Sequence, residues 1–210
     1  LRIKNNYLTL FAFSFSNGVY ITFVSFCNIP FLMNTYNLSK TDASSLTTII
    51  TFGAVIGCLM NSLMVKIFKL PKKAGIFLLS IAMIFWIVIS VIKLDASHLW
   101  LYIFIYFFFG FALSGLNLIF TNVKFNNSHN ITASALAFTN FGAFIAIALF
   151  QYLSGVILDF FSFKDTVSMK TIYPDYSFRI LFFLLSFFHF LSIVFYFFTK
   201  AEKNFSRTTL

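Results

Sequence analysis

A chain of 210 residues that is 60% hydrophobic and only 10% charged, with 34 Phe, carries more apolar surface than a water-solvated domain tolerates. A mean hydropathy of +0.89 puts it in the membrane class. The net charge of +9 would suit a nucleic-acid binder by size alone, but its distribution along the chain, given below, excludes that reading and marks membrane orientation instead.

Six apolar stretches follow in order, expected to form one six-helix transmembrane bundle over 1–210. The first, residues 7–33, exceeds the roughly 20 residues that cross a bilayer. It holds Asn17-Gly18 near its middle and Pro30 near its outer end, both positions where a membrane helix can bend. In the turn Asn37-Leu38-Ser39-Lys40-Thr41-Asp42, Ser39, Thr41 or Asp42 can cap the second span, residues 43–65. That span carries Gly53 and Gly57 with Asn61 one turn on, a row of small residues that admits another helix closely.

A basic loop over 66–73 leads to the third span, 74–92, which is lipid-like apart from Ser80 and Ser90. The fourth, 98–123, opens on His98-Leu99-Trp100 in the interfacial belt and carries Gly110, Ser114, Gly115 and Asn117. The loop Lys124–Asn130 returns to the basic side. The fifth span, 131–158, holds Asn140, Gly142, Gln151 and Gly155 and ends at Asp159. An outer loop through Tyr173-Pro174-Asp175 precedes the sixth, 178–199, the plainest of all.

Polar groups cost free energy in lipid and collect where helices face protein or water. They occupy the first, second, fourth and fifth spans, leaving the third and sixth for lipid. This rhythm of lined, lined, lipid, stated twice, predicts two three-helix units around a shared path. The loops place Arg2, Lys4, Lys66, Lys69, Lys72, Lys73, Lys124, Lys200, Lys203 and Arg207 on one side with Glu202. Lys40, Lys93, Lys164, Lys170 and Arg179 lie opposite with Asp42, Asp95, Asp159, Asp165 and Asp175. The basic side is the cytoplasmic one, so both termini are expected there.

No nucleophile elbow, zinc motif, CxxC or phosphate-cradling loop is present, so no enzyme, cofactor or metal site is expected. His98, His129 and His189 stand far apart, and His189 reads as a neutral imidazole bonded to a neighbouring helix. Cys27 and Cys58 read as buried thiols. Asp159 reads as an interfacial charge or a contact to the next loop. The amides Asn17, Asn117, Asn140 and Gln151 are the candidate substrate-binding groups, because each offers donors and an acceptor inside the membrane. Tyr20 and Ser114 join them at i, i+3 spacing from Asn17 and Asn117.

The stretch Gly110–Asp159 resembles the tenth and eleventh helices of a bacterial major facilitator superfamily transporter. It shares the pattern Thr132-Ala133, Asn140, Gln151, Gly155, Asp159 of a metabolite:proton symporter branch, with Tyr152 where a proline often stands. The family's loop signature survives only as Lys72-Lys73, with Asn61, Val65 and Lys66 replacing its Gly, Asp and Arg. The resemblance covers the chain as the C-terminal six-helix half of a twelve-helix fold. It implies inverted three-helix repeats, alternating access, and Asn17, Tyr20, Asn117 and Asn140 facing substrate.

The leading expectation is therefore half of a secondary active transporter in the bacterial inner membrane. It would move an amino acid or related metabolite with proton coupling, alongside a missing N-terminal half or a second copy. Siderophores or drugs are alternative substrates. The chain begins at Leu1 with no cleavable signal, an opening expected of a truncated, even inactive, transporter. The competing expectation is a six-helix assembly protein that self-associates through Gly53 and Gly57.

Overall fold

A computed structural model describes residues 2–92, 98, 100–164 and 171–200. Leu1, Lys93, Asp95, Leu99, Asp165, Lys170, Glu202, Lys203 and Arg207, and the Arg2 side chain, lie outside what is described. The helices are α1 (Arg2–Thr22), α2 (Asn28–Tyr36), α3 (Lys40–Phe68), α4 (Pro71–Val91), α5 (Leu101–Leu113), α6 (Gly115–Asn126), α7 (His129–Phe161) and α8 (Asp175–Phe198). A π-turn over Phe23–Cys27 joins α1 to α2, and a turn at Ser114 joins α5 to α6. Six candidate spans result: Lys4–Tyr36, Lys40–Phe68, Pro71–Val91, Leu101–Asn126, His129–Phe161 and Asp175–Phe198.

Helix ends follow local chemistry. Ser39 is the cap of α3, its hydroxyl accepting from the Asp42 amide at 3.1 Å. Pro71 occupies the first position of α4, where its missing N–H is not needed, so the basic connection shrinks to Lys69 and Leu70. Lys69 supplies the left-handed residue (φ 61°) that reverses the chain there. Between α7 and α8, β1 (Phe163–Lys164) and β2 (Thr171–Ile172) pair antiparallel.

The regular α-helix of the first span is interrupted by a π-turn, closed by the Asn28 amide donating to the Phe23 carbonyl five residues back. Phe26, whose carbonyl Pro30 cannot bond, lies inside that turn, so the interruption falls where Pro30 acts and not at Gly18. The extra residue turns Phe23 into the centre of the bundle. There it meets Trp86 of α4 at 5.0 Å, Phe182 of α8 at 5.2 Å and Phe109 of α5 at 5.9 Å, all edge-on. Each such pair contributes about 0.5–1.5 kcal/mol beyond area burial.

Glycines set the tightest contact, between α3 and α5. A Cβ on Gly53 would stand 2.0 Å from the Phe107 carbonyl, and one on Gly110 would stand 1.9 Å from the Ile50 carbonyl. Gly57 is equally blocked, at 2.5 Å from the Phe111 carbonyl. The small-residue row is thus spent inside the chain, which removes the expectation that Gly53 and Gly57 form a face for a second copy.

Burial repeats once along the chain. The first and fourth spans are each 56% buried, the second and fifth 28%, the third and sixth 44% and 39%. The two three-helix units are visible in that rhythm. The third and sixth spans expose the apolar face expected of them, with Ile84, Ile87 and Val91 on α4 and Phe183, Phe187 and Phe190 on α8. What composition did not predict is their inner face. Both turn polar groups inward: Ser90 of α4, and Ser186, His189, Ser192 and Tyr196 of α8 are buried. Composition hid this because a helical hydroxyl can satisfy itself on a nearby carbonyl, as Ser186 does on Phe183 at 2.7 Å.

Candidate functional site

α1 and α7 run in the same direction and touch along their length. A Cβ on Gly142 would meet the Ser14 hydroxyl, and one on Gly18 would meet Ala146. This register sets Asn140 and Asn17 in adjoining turns of neighbouring helices. On the other flank of α1, Phe13 stacks on Phe120 of α6 at 4.3 Å and Tyr20 stands beside Thr51 and Cys58 of α3. Asn17 lies between these contacts, half-buried, and Asn140 is exposed. Among the described residues, neither makes a side-chain hydrogen bond to the protein.

Asn117 is exposed on α6 and donates to the Cys58 sulfur at 3.1 Å. Tyr20, Cys58 and Asn117 therefore form one group, contributed by three helices near mid-span. Gln151 of α7 donates to the Ser25 hydroxyl in the π-turn at 3.1 Å, forming a second group nearer the far end. Ser114 does not join either. The turn that breaks α5 from α6 sends it inward, where it is 1% exposed. Its hydroxyl donates to the Asn61 side chain at 3.2 Å and its carbonyl accepts from Asn61 at 3.1 Å. Spacing of i, i+3 carries no facing information across a broken helix, so Ser114 belongs to the α3–α6 contact.

Three residues on this face escaped sequence reasoning. Thr51, Cys58 and Ser62 are exposed on α3 at spacings of seven and four, a polar stripe legible in retrospect. Cys58 is exposed, against the expectation of a buried thiol, whereas Cys27 is buried. Both thiols are free.

His189 is fully buried, its Nδ1 2.8 Å from the Ser16 hydroxyl and its Nε2 3.0 Å from the Leu79 carbonyl. The expected interhelical bond is there twice over. Asp159 accepts from the Tyr173 hydroxyl at 3.1 Å, the anticipated contact to the next loop. Burial, then the bond to the carboxylate, raises that phenol above its ordinary value. A second polar chain, unforeseen, crosses the outer half. Tyr106 donates to the Asn28 oxygen at 2.5 Å, and Asn28 donates to Thr47 at 2.8 Å.

No group of three metal-ligating side chains occurs among the described residues. Nor does any Asp, Glu, Lys or Arg among them stand mid-span. The open face offers amides, hydroxyls and a thiol, all suited to hydrogen bonding and none to covalent chemistry by an activated base.

No protein-family model and no curated protein matches the sequence. Solved structures do match the fold. The inward-open xylose transporter XylE from E. coli superposes with a TM-score of 0.70 at 13% identity, covering 97% of this chain and 48% of that one. The major facilitator superfamily proton:xylose symporter XylE bound to 6-bromo-6-deoxy-D-glucose gives 0.71 at 14% identity, covering 97% and 46%. A partially occluded inward-open XylE gives 0.64 at 14% identity, covering 98% and 49%. The chain spans about half the length of these structures, and its fold is that of one half of a major facilitator transporter.

Proposed function

We propose that this chain is one half of a secondary active transporter, working by alternating access with a second six-helix unit. The observation that carries the reading is the pair Asn17 and Asn140. An amide left without a partner in hydrocarbon costs on the order of several kcal/mol. Two of them on adjoining turns, beside Tyr20, Cys58 and Asn117, demand water, a solute or another protein against that face. The same face cannot be turned to acyl chains.

Asn17, Tyr20, Asn117, Asn140 and Gln151 then contact a small organic solute by hydrogen bonding. An amino acid or related metabolite fits, and so does a sugar of the kind that XylE carries. This half brings no charge to the contact among its described residues, so a charged solute finds its counter-charge on the other unit. The coupling ion is handled there too, because the buried His189 has both nitrogens engaged. The basic end faces the cytoplasm of a bacterial cell, in the inner membrane.

Cys58 makes the test direct, because Cys27 is buried. In membranes carrying the chain with a second half, a charged, membrane-impermeant methanethiosulfonate is expected to label Cys58. A transported member of a panel of amino acids and pentoses should protect it. Asn17→Ala, Asn117→Ala and Asn140→Ala are expected to reduce uptake well beyond any loss of expression. If Cys58 reacts only with a lipid-partitioning maleimide, the face looks into lipid and the proposal fails.

A further inference from the structure

The flank of α7 opposite the amides borders a groove of about 580 Å³ between α1, α7 and α8. Its floor and walls are apolar, with Phe11 and Phe15 from α1, Phe141, Ile145 and Leu149 from α7, and Phe188 from α8. The volume lies within the range that holds one drug-sized ligand. Phe138 closes one end of this trough and is shared with a second, smaller hollow of about 250 Å³.

That hollow is of different character. Tyr7 packs edge-on against Phe138 at 5.6 Å, and Asn6 and Ser134 line it with their polar groups. It lies where α1 and α7 both begin, held by a reciprocal amide pair between Asn6 and Asn127 at 3.1 Å. Lys4 is exposed one helical turn before Tyr7, on the face that continues through Phe11 and Phe15 into the trough. Tyr7 and Ser134 thus stand at the mouth of an apolar channel that runs inward along the helices, with the Lys4 cation exposed one turn outside it.

This is the polarity profile of an amphiphile. Positive charge at the mouth selects an anionic headgroup, and juxtamembrane lysines attract such lipids. We propose that the groove between α1, α7 and α8 seats an acyl chain of an anionic phospholipid, with its phosphate at Lys4, Tyr7 and Ser134. The bound lipid would fill the groove outside the Phe150–Phe188 contact of α7 and α8 without entering the amide-bearing face, so it stands apart from the proposed transport path.

The full chain, reconstituted in vesicles of equal phosphatidylglycerol and phosphatidylcholine, can be extracted in mild detergent and weighed by native mass spectrometry. Preferential retention of phosphatidylglycerol is expected. Lys4→Gln should weaken it about fivefold, the effect of one lysine near an anionic surface. Ile145→Trp, which fills the trough from an exposed position, should abolish retention of both lipids. Ile84→Trp, on exposed α4 surface, should change nothing, and matching elution profiles would confirm that the variants fold. Equal retention of the two lipids, unaltered by Ile145→Trp, would overturn the site as mere annular contact. A wild-type dimer split by Ile145→Trp would overturn it in favour of a second copy in the groove.

Discussion

The Leu79 carbonyl can only accept a hydrogen bond, so the Nε2 of His189 carries the proton and Nδ1 takes the Ser16 hydroxyl. In the neutral imidazole this leaves Nδ1 as the acceptor, and the two bonds tie α8 to α1 and α4 at once. Ser16 is also the neighbour in sequence of Asn17, so the same bond fixes the turn that presents the amide. A double-mutant cycle of Ser16→Ala and His189→Leu is expected to give a coupling of about 0.6 kcal/mol, with about 1.7 kcal/mol as the ceiling for such bonds in membranes. Reversible unfolding in mixed micelles measures it. A coupling indistinguishable from zero would mean that the two side chains act independently. The residue scale was only half legible in sequence. That His189 bonds to a neighbour followed from the cost of an unpaired imidazole in lipid, but which neighbour did not.

Among the helices, the glycines divide into two kinds that look alike in sequence. Gly53 and Gly110 let α3 and α5 touch backbone to backbone, whereas a Cβ on Gly155 would find its nearest atom, in Phe26, 3.8 Å away. Gly110→Ala is therefore expected to destabilise the bundle by about 1–3 kcal/mol, since two helices must separate to admit the methyl group. Gly155→Ala should be neutral or stabilising by up to about 1 kcal/mol through helix propensity. Thermal aggregation of the purified variants separates the two, and a similar loss for both would refute the distinction. Breaks in helices were the least legible feature. Pro30 advertised a break, but nothing in the sequence said that it would take the form of a π-turn reaching back over Phe26, where an inward Phe23 gains the aromatic cluster of Trp86, Phe109 and Phe182.

For the molecule as a whole, charge sorts the two ends. Lys4, Lys66, Lys69, Lys72, Lys73, Lys124 and Lys200 lie at the end where α1, α4 and α7 begin, with no carboxylate among the described residues there. Lys72 is built into that end, donating to the Phe197 carbonyl at 2.8 Å and to the Thr199 carbonyl. Asn126 reaches the Lys200 carbonyl at 3.0 Å. The opposite end mixes Lys40, Lys164 and Arg179 with Asp42, Asp159 and Asp175, and holds the Arg179–Asp175 ion pair at 2.7 Å. A reporter that folds only in the cytoplasm is expected to be active when fused after Lys200 and inactive when inserted after Lys164. The reverse pattern would invert the proposed orientation.

Six crossings, their order and the asymmetry of charge could be taken from the residues alone, because transfer into hydrocarbon is a property of each side chain summed over a span. The facing of a side chain is different in kind, since it depends on which helix lies alongside and where a helix is broken. Asn17 and Ser114 were equal candidates as polar residues at mid-membrane. Packing left the first on an open face and turned the second into the α3–α6 contact, and no one-dimensional pattern records that choice.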